Sequence, residues 1–280
     1  MIWGLIHNII LFMLFTAFAI YLLAFSYKYK KMNRYGFNST LITSVILIVL
    51  GASVVIFDWL LPYPLNAAVN IWAGIVAAVQ VPYFFIIRYK YKEKGNKENV
   101  EKSTYEKGEI KVKRELLRKS FHVVILLVII CYFVVAPLVN DFVYEQIYLI
   151  DQDLYYSIWQ TNEYPLLPGE TSEQVVVFSW TFMFFLCAIL LLLIPDVFRI
   201  YNQRFMRIKE FYSIGPQIYL TLGCTFVFLL AIFDHVLDIV ALAAMLIAAL
   251  GDAAAAIIGR GYGNHKFSTL LQKKEQKSYE

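Results

Sequence analysis

Two stretches of this chain combine residue types that handle phosphate and protons with a spacing that can bring them together. In Glu115-Leu-Leu-Arg118-Lys119-Ser-Phe-His122 the polar groups recur at i, i+3/i+4 and i+7, which places them on one face of a helix. A carboxylate, a guanidinium or ammonium, and an imidazole stacked in this way make a grip for a polyphosphate. A basic flank reaching to a membrane interface, with Glu115 as the i,i+4 partner of Lys119, would account equally for Arg118 and Lys119. It leaves His122 unexplained, because the imidazole falls just inside an apolar run.

The second stretch begins at Gly251-Asp252 and runs through four alanines to Gly259 and Gly263. An ionisable residue within or at the end of a membrane span is costly and points to function. Ala255, Gly259 and Gly263 recur every four residues, a ridge that helix packing through small residues would also produce. Packing does not call for the acid. Asp252 suits Mg²⁺, which takes one or two carboxylates together with substrate phosphates, and the bare glycine backbone beyond it lets phosphates approach. Asp196 and Arg199 form a third pair just after Pro195, with Asp196 a second carboxylate for a metal or for orienting a cation. Arg204 and Arg207 read as flank. Asp234, His235 and Asp238 fall at the far end of the neighbouring spans and are excluded from the site.

The elements that must hold these residues are membrane helices. Of the 280 residues, 60% are hydrophobic and only 16% charged, outside the range of soluble globular domains. Seven runs are long enough to cross about 30 Å of hydrocarbon: Ile2–Ser26, Thr40–Leu60, Leu65–Ile87, Phe121–Leu138, Val175–Ile194, Gly215–Phe233 and Val236–Ile258. The fold expected is therefore all-α and polytopic. All 25 Lys and Arg residues lie after the first, third, fifth or seventh run, and the loop Val139–Gln174 carries seven acids and no cation. Short basic loops stay in the cytoplasm, so the N-terminus is expected outside and the C-terminus inside. The first run reads as a retained signal anchor, since its basic cluster follows it. The net charge of +4 needs no nucleic acid; it suits anionic headgroups and substrates.

Smaller expectations follow from the same pass. His7, Asn8, Asp58, Asn66, Asn70 and Gln80 read as packing hydrogen bonds between helices, and Cys131, Cys187 and Cys224 as packing residues within spans. Lys90–Glu109 reads as a polar cytoplasmic loop, and the aromatic, acidic outer loop (Tyr144, Tyr148, Tyr155, Tyr156, Trp159) as a lid or interfacial helix. Residues 1–114 would form three helices and a charged loop, and 115–280 the part that carries chemistry. Nothing in the sequence bears on oligomeric state.

At the charged stretches the chain resembles a known family. Glu115-x-x-Arg118-Lys119-x-x-His122 is similar to the E-x-x-R-K-x-x-H signature of the CTP-dependent lipid kinases, the family of dolichol, phytol and fungal diacylglycerol kinases. Asp252-x-x-Ala255-x-x-x-Gly259-x-x-x-Gly263 resembles that family's CTP-binding motif, and Lys277-Ser278-Tyr279-Glu280 the K-T-x-E part of the stretch that follows it, with Ser in place of Thr. Asp196-x-x-Arg199 looks like the acid and Arg after a preceding span. The interval from Gly263 to Lys277 is longer than the family pattern, and Gln276 stands where a Lys is expected. The match covers the C-terminal part and stops at Glu280, which implies a chain incomplete at that end.

The resemblance implies phosphoryl transfer from CTP to the hydroxyl of a membrane lipid alcohol at the cytoplasmic face. Asp252, with Asp196, would hold Mg²⁺. Arg118, Lys119 and Lys277 would meet phosphate oxygens, Glu115 would orient the cations, and His122 would position or deprotonate the hydroxyl. Ala255, Gly259, Gly263, Lys277 and Glu280 would complete the nucleotide site. Two other readings stay open: a cytidylyltransferase joining CMP to a lipid phosphate, and a transporter or scaffold in which these charges only pack or flank.

Overall fold

In hydrocarbon every backbone polar group must be satisfied within its own segment, so apolar runs of this length become helices. The computed structural model of the chain describes residues 2–28, 30–31, 34–93, 122–143, 145–146, 149–154, 172–197, 214–233, 237–261, 266–269 and 272–278. Its helices are α1 (Ile2–Lys28), α2 (Arg34–Ile56), α3 (Leu65–Glu93), α4 (Val123–Ile130), α5 (Ala136–Val143), α6 (Ser172–Val197), α7 (Pro216–Ile232) and α8 (Asp238–Gly261). Five segments, Ile2–Lys28, Gly36–Ile56, Leu65–Ile86, Val175–Ile194 and Asp238–Ala255, are long and apolar enough to cross a membrane. Val123–Val139 and Gln217–Ile232 are shorter apolar helices.

The helical expectation accounts for the body of the chain, and the structure adds one element to it. An antiparallel pair, β1 (Lys266–Thr269) and β2 (Gln272–Ser278), follows α8, with Lys266 opposite Ser278 and Phe267 opposite Lys277. β2 folds back to touch α8.

Several boundaries also move. α2 begins at Arg34 and not at Thr40, because the helix absorbs polar residues by bonding their hydroxyls to its own backbone. Ser39 Oγ and Thr40 Oγ1 both donate to the Gly36 carbonyl, at 3.2 and 2.7 Å. It ends at Ile56, where a 3₁₀ turn, Asp58–Leu60, leads to Pro62 and Pro64. α3 continues to Glu93, past the expected end at Ile87, and the remainder of the loop to Glu109 lies outside the described residues.

α4 and α5 are halves of one rod joined by a π turn, Cys131–Val135. Pro137 supplies the cause. It has no N–H to give the carbonyl of Phe133, and its ring crowds that carbonyl, so the preceding turn widens. α5 carries the rod five residues past Leu138 into the expected outer loop. The five loop aromatics named above lie outside the described residues.

α6 is the post around which the others stand. Phe182, Phe185, Leu186, Leu190 and Leu193 on it are fully buried, and it touches α1, α3, α4, α5 and α7. Buried side chains from α1–α3, from α4 and from α6–α8 belong to one continuous core. Among the described helices α1 and α2 share the most extensive contact, and Gly51 lets their backbones approach. A Cβ at Gly51 would stand 3.2 Å from Phe12 Cα and 3.3 Å from Phe15 Cβ.

Polar ties inside this apolar body join specific helices. Asn66 Nδ2 donates to the Gly4 carbonyl (2.9 Å) and to Asn8 Oδ1 (3.0 Å), and Asn70 Nδ2 donates to the His7 carbonyl (3.1 Å), fastening α3 to α1. Trp72 Nε1 donates to the Cys187 carbonyl (3.0 Å) and Tyr219 Oη to Ser39 Oγ (3.0 Å). These are the interhelical packing bonds expected of His7, Asn8, Asn66 and Asn70. Meanwhile large apolar side chains such as Ile20, Ile42, Ile71 and Ile247 face outward, each more than half exposed. Such a surface has its match in lipid tails.

Candidate functional site

His122 opens α4, its backbone already helical at φ −69° and ψ −21°. Asp252 lies in α8, 14 residues after Asp238, which starts that helix. Fourteen residues turn through almost four full turns, so Asp238 and Asp252 share one face. Between them the same face buries Ala241, Leu242, Met245 and Ala249.

α4 runs against this face in the opposite direction, tied to it at two levels. At one, His122 Nε2 lies 2.9 Å from Asp252 Oδ2, a contact between residues 130 apart in sequence. At the other, Tyr132 Oη donates to Asp238 Oδ2 at 2.6 Å. Asp238 Oδ1 accepts the Ile239 N–H at 2.7 Å.

The two members of the first pair are not equally placed. The His122 side chain is 12% exposed and that of Asp252 58%. The imidazole is thus held by the protein and the carboxylate is presented to whatever lies outside. An imidazole N–H aimed at a carboxylate oxygen fixes the ring's tautomer and the carboxylate's orientation, and a protonated ring would add a charge pair. In this geometry Asp252 is the member of the pair open to contact from outside. His122 is the group that positions it.

Asp252 fits one part of what Mg²⁺ requires. That ion keeps water and substrate phosphates in its shell beside one or two carboxylates, and a half-exposed carboxylate offers such an arrangement. A closed cage of protein ligands would be different; among the described residues no group of three or more His, Cys, Asp or Glu side chains is placed to hold a metal.

The other candidates divide. Ala255 is exposed, one turn beyond Asp252 on α8, and Gly259 lies in the last turns of the same helix. Asp196 falls in the last turn of α6, and Lys277 in β2 opposite Phe267. Glu115, Arg118, Lys119, Gly263 and Glu280 lie outside the described residues, as does Arg199. Asp238, excluded from the site by its position, is bound instead to Tyr132 at the other end of the seam.

Neither a family model, nor a curated protein, nor a solved structure matches this chain.

Sequence reasoning passed over Tyr132. Its ring stacks on Phe178 at 6.2 Å and meets Phe228 edge-on at 6.0 Å, so this one residue joins α6 and α7 to the α4–α8 seam. A tyrosine within an apolar run gives no signal by itself. Pro137, five residues on, was the available hint that the helix would be interrupted there.

Proposed function

We propose that this chain is a membrane-embedded, CTP-dependent lipid kinase, moving the γ-phosphoryl group of CTP to the hydroxyl of a lipid alcohol at the cytoplasmic face. The observation that carries the reading is the 2.9 Å contact of His122 with Asp252. Two residues singled out separately, for their chemistry and for their resemblance to two motifs of one family, meet across 130 residues of chain.

The reading takes seven spans, the five long apolar helices together with the α4–α5 rod and α7, with the N-terminus outside. The positive-inside distribution of all 25 cations supports it. It also sets the His122 end of the seam toward the cytoplasm, where the nucleotide is.

Phosphoryl transfer is chiefly positioning and electrostatic stabilisation. The bond between the γ-phosphorus and the β,γ-bridging oxygen breaks, a bond from the lipid oxygen to that phosphorus forms, and CDP leaves. Bound Mg²⁺ would neutralise phosphate charge. In this reading Asp252 provides its carboxylate and takes the hydroxyl proton, while His122 holds the carboxylate in place. Arg118 and Lys119, one turn ahead of His122 in sequence, supply cations for the phosphates, with Glu115 orienting them. Lys277 comes from the strand that folds back toward α8, and Asp196 from the end of the central post.

CTP labelled at the γ-phosphate tests this directly with the purified chain in bilayers and a panel of lipid alcohols. Label in the lipid supports the kinase. Label released as pyrophosphate would replace it with a cytidylyltransferase, and no nucleotide-dependent product at all would leave a transporter or scaffold.

A further inference from the structure

The rod that carries His122 changes its main neighbour part-way along. α4 lies chiefly against α8, and α5 against α6. The π turn, Cys131–Val135, falls between the two contacts. In it the Ala136 N–H is bonded to the Cys131 carbonyl, a step of five residues where an α-helix takes four. One surplus residue is absorbed there, which turns α4 by about 100° relative to α5 compared with an unbroken helix.

The buried faces of the two halves differ accordingly. Ile125 and Ala136, both 0% exposed, are 11 residues apart, which in an unbroken α-helix is three turns and one common face. With a surplus residue between them they point in different directions. A rod with α8 beside one half and α6 beside the other requires this. Tyr132, inside the turn, bonds the same rod to Asp238.

We infer that the π turn sets the rotation of α4 about its own axis, and that Pro137, by holding the turn open, is a positioning residue for the contact between His122 and Asp252. The inference rests on the kinase reading only where phosphate transfer serves as a readout. His122 Nε2 reaches Asp252 Oδ2 at 2.9 Å from the residue that opens α4, so turning this helix by 100° carries the imidazole off the carboxylate. Proline prevents that turn. An alanine at 137 would give the Phe133 carbonyl its donor back, and an unbroken α-helix, with α4 in the wrong rotation, would then compete.

Three variants separate rotation from simple loss of stability: Pro137→Ala, deletion of Val134, and the two together. Val134 is 49% exposed, so its deletion removes little packing. The deletion also turns the bond from Ala136 to Cys131 into an ordinary four-residue step, with both halves keeping their faces. With Pro137 still present, the missing N–H and the ring then confront the Tyr132 carbonyl, and the rod remains distorted. Only the double variant allows a regular helix in the original rotation.

Spin labels at Leu127 on α4 and Ile247 on α8, both exposed, report the distance across the seam in the full chain with Cys131, Cys187 and Cys224 replaced by Ala. A second pair, Leu138 on α5 and Ile71 on α3, reports α5 against a helix that packs on α6. In Pro137→Ala the first distance is expected to move by about 5 Å or more, the second to stay, and phosphate transfer to fall roughly tenfold or more. The double variant should return the distance to that of the parent and transfer to within about twofold. Deletion of Val134 alone should stay displaced, and its comparison with the double variant decides the matter if Pro137→Ala does not fold. A parental distance in Pro137→Ala, a shift confined to the α5 pair, a double variant no better than either single one, or transfer lost with the distance intact would overturn the inference. Distances that behave as expected in a chain that transfers no phosphate keep the role of Pro137 and lose the kinase.

Discussion

At the scale of single residues, the pair His122 and Asp252 makes predictions that separate its two members. Asp252→Asn keeps the shape of the side chain and removes its charge. Turnover with labelled CTP is expected to fall roughly 100-fold or more, the size seen when one electrostatic group is withdrawn from a transition state. Because His122 is held inside and acts through Asp252, His122→Gln, which retains an N–H, should keep more turnover than His122→Ala. Combined with Asp252→Asn, either His122 variant should add little. A double-mutant cycle giving simple additivity would mean that the 2.9 Å contact is not functional. Both residues could be singled out from sequence, His122 by an imidazole inside an apolar run and Asp252 by an acid among alanines. Their meeting could not, because it depends on how α4 and α8 pack across the intervening 130 residues. Nor could their unequal exposure, which assigns contact to one and positioning to the other.

At the scale of elements, the apolar runs made the helices legible because length and hydropathy alone demand them. What escaped was local. The π turn at Cys131–Val135 is the answer of a backbone to Pro137, and the hairpin after Gly261 arises in a polar stretch without alternating apolar residues. Tyr132→Phe removes the 2.6 Å bond to Asp238 and keeps the ring that meets Phe178 and Phe228. The expected cost is about 1 kcal/mol, toward the upper part of the range for interhelical hydrogen bonds in membranes, read as an earlier unfolding midpoint in detergent. Phosphate transfer at saturating substrate should change less than in His122→Ala, since the far tie sets helix register and does not touch the reacting groups. The α1–α2 contact is less forgiving. Gly51→Ala places a methyl 3.2 Å from Phe12 Cα, which is backbone and cannot swing aside. The helices must part, and the midpoint should fall further than for Gly74→Ala, where the added methyl meets nothing.

At the scale of the whole molecule, orientation decides whether the proposed chemistry has access to its nucleotide. α2, which lies between the turn after α1 and the turn at its own end, is 23 residues long, about 35 Å, so the two turns must lie on opposite sides of any membrane that α2 crosses. Lys31 marks the first turn and Tyr63, 45% exposed, the second. In the proposed topology Lys31 is inside, in a turn where Lys30 lies 4.7 Å over the Phe37 ring. Single cysteines at these two positions, in a chain whose Cys131, Cys187 and Cys224 are replaced by Ala or Ser, would report their sides to a maleimide that cannot cross the membrane. Tyr63→Cys is expected to react in intact cells, and Lys31→Cys only after permeabilisation. In the proposed seven-span topology α3 returns the chain to the side of Lys31 and α4 leaves from that side, so His122, and Asp252 across the seam, lie toward it. The reverse labelling pattern would put that pair toward the outside, away from cytoplasmic CTP, and the kinase would fail on topology before any question of mechanism arose.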